Sequence, residues 1–599
     1  MSIQASKLQA NIDMIETDVA IIGAGGAGLR AAIEIARKSP STKIALISKV
    51  YPMRSHTVAA EGGAAGVVRE DDSLDNHFND TVSGGDWLCD QDVVEYFVEH
   101  ATEEMVELEH WGCPWSRNPD GTANVRRFGG MKIPRTWFAA DKTGFHILHT
   151  LFQTSLQFDS IIRYDEHFAL DLLIEDNQVQ GVLAFDMQNG NARAFKAKSV
   201  IIATGGAGRV YQYNTNGGIV TGDGMALAYR QGVPLQDMEF VQYHPTGLPG
   251  SGILMTEGCR GEGGIVTNKE GYRYLQDYGL GPETPIGEPK NKYMELGPRD
   301  RLSQAFYHEW KKGNAIETAR GAVVNLDLRH LGEEYINERL PFIRSLAMKF
   351  VGVDPVHAPI PVRPTAHYTM GGIKTNGLCE TPMAGLFAVG ECASVGLHGA
   401  NRLGSNSLSE LSVFGKVAGE QALEFAKKQH SHSDNFTKLA ESKLMPYLEL
   451  LHKTDGTENP ADIRNDMGIL MDTHIGIYRS AEDCELAISK ITALKQRYKN
   501  VKVTDHSRVF NTDWLGVIEL GFLLDVAEAM IYSAAARKES RGSHQRLDYP
   551  ERDDENYLRH SLAYYNAHKA PDIDYAPVTI TKSLPAQRAY GAAGDKSAK

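Results

Sequence analysis

Residues 18–48 read DVAIIGAGGAGLRAAIEIARKSPSTKIALIS, and this stretch decides the fold. Val19-Ala20-Ile21-Ile22 is a short, wholly apolar run of the kind that forms a strand covered on both faces. Gly23-x-Gly25-x-x-Gly28 follows at once, and after it Leu29, Ala32, Ile33 and Ala36 fall on one helical stripe that Pro40 ends. Lys43–Ser48 supplies a second strand and closes a βαβ unit, the opening of a doubly wound dinucleotide fold. The glycines let backbone N–H groups at a helix N-terminus approach a pyrophosphate, which assigns Gly23, Ala24, Gly25, Gly26 and Ala27 to a cofactor. Ser48 and Lys49 stand where an acidic residue would otherwise bind a ribose hydroxyl, so the motif alone leaves NAD, NADP and FAD open.

Two more apolar runs end in glycine: Ser199–Thr204 before Gly205-Gly206-Ala207-Gly208, and Gly385–Glu391. The spacing predicts an α/β, Rossmann-like domain built from 1–240 and 355–415, with an α+β capping domain inserted at 241–354 and a ligand cleft between the two. Long Ala-, Leu-, Glu- and Lys-rich patterns predict a helical domain at 416–545. A charged C-terminal segment, 546–599, ends in the low-complexity tail AAGDKSAK, which is expected to be disordered. No internal repeat is found.

The 599 residues suffice for three or four domains, and 62 Lys+Arg against 76 Asp+Glu give a net charge of −14, which argues against binding nucleic-acid phosphates. Six cysteines without CxxC spacing argue against an iron–sulfur cluster, a metal site or a disulfide framework. No apolar run is long enough to span a membrane and the first twenty residues do not read as a signal peptide, so the expectation is a cytoplasmic protein, or one peripheral to a membrane that other chains cross.

Arg54-Ser55-His56-Thr57-Val58-Ala59-Ala60-Glu61-Gly62-Gly63 lies just beyond the second strand. This segment closely resembles the covalent flavin-attachment segment of the succinate dehydrogenase and fumarate reductase flavoprotein family. The resemblance extends through GGDWLCDQDVVEYF, RTWFAADKTG, TNGGIVTGDGMA, MEFVQYHPTGLPGSGILMTEGCRGEGG, LGPRD, RPTAHYTMGGI, VGECASVGLHGANRLGSNSLSE and ARKESRGSH, and covers most of residues 18–590. It implies FAD bonded through its 8α carbon to His56, with Ser55, Thr57, Glu61, Gly62 and Gly63 around it. Ser48 and Lys49 would lie near the ADP portion, Asp223 and Glu391 on polar groups of the cofactor, and His367, Tyr368, Arg402, Ser405, Asn406, Ser407 and Leu408 near its ring.

Reduction of fumarate requires hydride delivery to one alkene carbon and a proton to the other, on a substrate with two carboxylates. The resemblance gives Arg299 the role of proton donor, and His244, His367 and Arg402 that of carboxylate ligands. Glu257 and Arg260 match relay residues, Thr256 with Glu257 a carboxylate-contacting pair, and Phe128 an aromatic that presses on the substrate; Gly63 joins the substrate set. Arginine is an unusual acid, since its guanidinium stays protonated to a pKa above ~12. The choice is workable because a nascent carbanion is a far stronger base.

Three members of the wider group compete: bacterial quinol:fumarate reductases, succinate dehydrogenases running the same half-reaction in reverse, and soluble L-aspartate oxidases, which lack the attachment histidine. Glu61 before the paired glycines favours the reductases, since the dehydrogenases carry Gln there. The resemblance further implies an iron–sulfur subunit, two small membrane anchors serving menaquinol, a flavinylation assembly factor, and a place on the cytoplasmic face of the bacterial inner membrane in anaerobic respiration.

Overall fold

The computed structural model describes residues 12–281, 294–429 and 434–588. Its central sheet runs Leu386–Ala388, Ser199–Ile202, Val19–Ile22, Ile44–Ser48, Ile161–Asp165, all parallel. The three innermost strands are buried at every residue, which is why their sequences are unbroken aliphatic runs. Both downstream strands expected from the sequence therefore join the first βαβ unit in one sheet.

The helix Gly26–Lys38 packs on this sheet beside a second helix, Asn406–Lys428. Gly415 and Gly419 allow the approach: a Cβ at Gly419 would meet the backbone of Ala31 and one at Gly415 the side chain of Arg30. Val413, Phe414, Val417, Ala422 and Leu423 share one core with Val19, Leu29 and Leu46. The sequence reading placed most of this helix in the helical domain from 416 onward. Its heptad-like composition cannot show which neighbour it covers, and the close glycine contacts put it with the nucleotide sheet.

The inserted region forms an antiparallel sheet in the order Val241–Gly247, Ile360–Thr369, Val324–Asp327, Ile265–Thr267 around a separate apolar core. Strand Ile360–Thr369 carries this sheet past the expected boundary at 354. It delivers His367 opposite the strand that carries His244.

Four helices, Phe436–Leu451, Pro460–His474, Ala481–Tyr498 and Thr512–Ala536, make up the helical region. Two elements had no clear sequence signal. Ile12–Glu16 is a strand paired in parallel with Asn191–Lys196. Arg559–Tyr564 and Asp572–Pro577, inside the charged C-terminal segment, form a hairpin that joins the sheet containing Leu235–Gln236 and Gly372–Lys374. The tail AAGDKSAK lies outside the described residues. Among the described residues, no helix is long and apolar enough to cross a membrane.

Candidate active site

The ends of the parallel strands open into a cleft with ≈ 1180 Å³ of free space counted out to solvent. Gly23, at φ +109°, has Ala203 O where a Cβ would stand, and a Cβ on Gly28 would meet Gly23 O, so helix and strand approach as only glycine allows. Gly23 to Ala27, Ser48, Lys49, Ser55, His56, Thr57, His367, Tyr368, Glu391, Arg402, Ser407 and Leu408 all line the cleft. Thr57 Oγ1 accepts from Gly26 N at 3.1 Å, fixing the attachment loop against the glycine turn.

At one end, Lys49 Nζ donates to Asp223 Oδ2 (2.6 Å), Glu519 Oε1 (2.8 Å) and Thr221 Oγ1 (2.8 Å). Where a ribose-binding acid is usual, the chain thus places an ammonium that borrows two carboxylates from elsewhere. Burial opposes the Lys49 charge, but these carboxylates outweigh it and raise its pKa. Asp223 touches Lys49 and does not itself line the cleft. Glu519 arrives from the helical region, and no spacing in the sequence pointed to it.

His56 opens a 3₁₀ turn, His56–Ala59, and accepts from Gly217 N at Nδ1 (3.3 Å). Burial, reinforced by Arg209, lowers its pKa to about 4, so the imidazole is neutral and Nε2 is the nitrogen left for bonding. Glu391 Oε1 accepts from Thr369 N at 3.0 Å, and burial raises its carboxyl to about 7.

The other end holds a cluster of cations. Gln242 Oε1 accepts from Arg299 Nη1 (3.0 Å) and Arg402 Nη2 (3.2 Å), while Gln242 Nε2 donates to Asn401 Oδ1 and Arg402 O. One neutral side chain thereby sets two guanidiniums side by side. Arg402 also donates to Ser407 Oγ (3.1 Å) and lies over the Tyr368 ring, 4.3 Å from its centroid. Burial and the Arg299 charge lower the Arg402 pKa to about 10.

His244 and His367 stand with ring centroids 5.1 Å apart. Burial first, then Arg299, pushes both well below the usual imidazole range, so both are neutral. His244 Nδ1 accepts from Thr246 N (3.3 Å), which puts the proton on Nε2; that N–H is buried and unpaired, as is Arg402 Nε. Unpaired buried donors beside two guanidiniums are the requirement for binding a dianion.

Arg299 begins the helix Arg299–Lys311 and donates from Nε to Glu257 Oε2 (2.8 Å). Arg260 Nη2 lies 3.9 Å from the same oxygen, and Gly129 N donates to Glu257 Oε1. The short helix Gly258–Gly261, with Glu257 at its N-cap, places Glu257 and Arg260 together. Burial disfavours the Glu257 charge, but Arg299 and Arg260 outweigh it and hold the carboxyl below its ordinary value. Arg299 and Arg402 line a narrow cleft with Ser83, Gly84, Gly129, Pro298 and Leu403, and Arg402 lines the large cleft as well.

The remaining expected residues stand behind these walls. Phe128 packs with Ala65, Met131 and Leu403, its ring against Gly62. Thr256 is buried, with Oγ1 accepting from Gly258 N (3.3 Å). Gly63 has φ +147° and closes on Trp137 O. Glu61 is buried with Oε2 unpaired; burial and Asp141 raise its pKa well above the carboxylate range. Ser405 bonds Thr136 Oγ1 (2.9 Å), and Asn406 bonds His77 (3.0 Å) and Thr81 (3.1 Å), so both turn away from the cleft.

The fold, the glycine turn and the polar walls define a flavin-binding oxidoreductase, and residues 18–408 match the FAD binding domain family. Residues 464–590 match a second family, the fumarate reductase flavoprotein C-terminal domain. The chain is 66% identical over 576 residues to the fumarate reductase flavoprotein subunit of Proteus vulgaris, covering 96% of each chain. Against the succinate dehydrogenase flavoprotein subunit of Rickettsia bellii the identity is 42%, over 97% of this chain and 99% of the relative. A solved quinol-fumarate reductase with menaquinol molecules contains a chain of 64% identity that superposes with a TM-score of 0.94, covering 96% of this chain and 100% of that one. The chain belongs to the fumarate reductase flavoprotein family.

Proposed function

We propose that the chain is the catalytic flavoprotein subunit of a quinol:fumarate reductase and reduces fumarate to succinate. The observation that carries this reading is the pair of guanidiniums held by Gln242 beside two neutral histidines, where the FAD cleft meets the narrow one. The residues present fit FAD: a glycine turn with no room for side chains, a neutral His56 and hydrogen-bonding groups along the wall. Bound FAD supplies the hydride.

The chain's own residues do the rest. Arg402, His244 and His367 hold the two carboxylates, and the polarity they impose draws electron density from the alkene. Arg299 donates the proton to the carbon that becomes carbanionic. It regains one through Glu257, whose carboxylate touches both Arg299 and Arg260. Phe128, packed against Gly62 and Gly404, backs the wall against which the substrate lies. Greater identity to fumarate reductases than to the dehydrogenase, with Glu61 before the paired glycines, favours the reductive direction.

In this reading FAD is bonded through its 8α carbon to His56. An iron–sulfur subunit delivers electrons from menaquinol bound by two membrane anchors, on the cytoplasmic face of the bacterial inner membrane, and an assembly factor assists flavinylation. Acid denaturation followed by gel electrophoresis tests the bond. Flavin fluorescence should migrate with the wild-type polypeptide and vanish in His56→Ala; a noncovalent wild-type flavin would overturn the attachment.

A further inference from the structure

The segment after strand Asp572–Pro577 has no regular structure, yet it is tied down at Thr579, Thr581, Lys582, Ser583, Ala586 and Arg588. Thr579 N donates to Asp90 Oδ1 (2.8 Å), and Gln91 Oε1 accepts from the backbone N–H groups of Thr581, Lys582 and Ser583 at 3.1, 3.0 and 2.9 Å. Trp87 Nε1 donates to Ser583 Oγ (3.0 Å), and Ala586 O accepts from Arg552 (2.9 Å). All these anchors but Arg552 lie in the flavin-binding region. The strap ends among the described residues at Arg588, whose side chain is only 5% exposed.

Arg588 Nη1 donates to Asp300 Oδ2 (2.7 Å), and Nη2 donates to Asp300 Oδ1 (3.3 Å) and to Gly84 O (3.3 Å). Asp300 belongs to the inserted region and is the neighbour of Arg299 in the first turn of helix Arg299–Lys311. Gly84, Pro298 and Arg299 line the same narrow cleft. A single guanidinium thus grips both walls of the seam in which Arg299 works. The buried Asp300 carboxylate takes its side-chain hydrogen bonds from Arg588.

We propose that Arg588 is a positioning residue for Arg299: through its two-pronged bond to Asp300 it fixes the first helical turn against Gly84, and so sets the distance of Arg299 from Glu257, Gln242 and Arg402. The inference rests on Arg299 as the proton donor. Removing Arg588 leaves a buried carboxylate unpaired next to Arg299, and an unpaired charge there competes for that guanidinium. A small displacement of the donor is enough to slow proton transfer.

The test uses the flavin-loaded full chain, with reduced viologen as electron donor and fumarate as acceptor. Arg588→Met should lower kcat about ten- to hundredfold, with the KM for fumarate changed less than about twofold and flavin content unchanged. Amide hydrogen exchange should quicken in residues 299–303 and stay as before in Ala481–Tyr498. Lys582→Ala, on the same strap, removes pairs with Asp75 and Glu95 and a contact over the Phe78 ring but none with Asp300 or Gly84, and should match wild type in kcat. Arg588→Lys keeps the charge without the fork, should fall between the two, and decides the matter if Arg588→Met does not fold. Wild-type kcat in both Arg588 variants, or unaltered exchange in 299–303, overturns the proposal. A wild-type chain unable to reduce fumarate would instead refute the functional reading, and the exchange data would still judge the tie.

Discussion

Arg299 has a fixed place because three different chemistries converge on it: a carboxylate at Nε, a neutral amide at Nη1 and the start of a helix. Lysine cannot reproduce this, since one ammonium cannot serve Glu257 and Gln242 in the same plane while pointing a third N–H at substrate. Arg299→Lys and Arg299→Gln should both lower fumarate turnover by about 10²- to 10⁴-fold while flavin content stays the same; a near-wild-type rate in steady-state assays would end its assignment as the acid. The charged members of this cluster were named through the family resemblance of the motifs that hold them. Gln242 was not, although it stands in the same Gln242-Tyr243-His244 stretch, because an uncharged amide announces no chemistry until two guanidiniums are seen to share its oxygen. Glu519 escaped for a different reason: its partner, Lys49, lies in a distant part of the chain.

The strand–glycine–helix junction turns an apolar pattern into a binding site. Val19–Ile22 is buried throughout, so the strand was legible as a bare aliphatic run, and the helix was legible from its stripe. Ile12–Glu16 and the hairpin strands 559–564 and 572–577 were not, because they mix polar and apolar residues and offer no unbroken apolar run. The same logic explains the helix Asn406–Lys428, whose existence the pattern gave and whose neighbour only Gly415 and Gly419 reveal. At Gly23 the demand is double: φ +109° and the carbonyl of Ala203 in the place of a Cβ. Gly23→Ala should incur about 1–3 kcal/mol of backbone strain and push strand from helix. The flavin absorbance retained after gel filtration should therefore fall sharply; full retention would mean the turn can rearrange without consequence.

The C-terminal hairpin binds distant parts of the chain together, and His560 is its electrostatic pin. Its Nδ1 lies 2.6 Å from Asp237 Oδ2 and its Nε2 3.2 Å from Asp90 Oδ2, linking strand Arg559–Tyr564 to the loop before Val241–Gly247 and to the N-terminus of helix Gln91–His110. Burial opposes the imidazolium, but the two carboxylates outweigh it and raise the pKa from 6.5 to about 10. A folded-state pKa above the unfolded one means that the native chain binds the proton more tightly. The stabilisation is therefore complete below about pH 6.5 and is lost progressively as the pH rises toward 10. It amounts to a few kcal/mol on the scale of about 1.4 kcal/mol per pKa unit. His560→Gln keeps hydrogen bonding but cannot carry the charge, so it should lower Tm at pH 6.5 by several degrees and flatten the decline of Tm between pH 7 and 10. Parallel Tm-versus-pH curves for wild type and His560→Gln, measured by calorimetry on the flavin-loaded chain, would show that the imidazolium is not what joins the hairpin to the flavin-binding region.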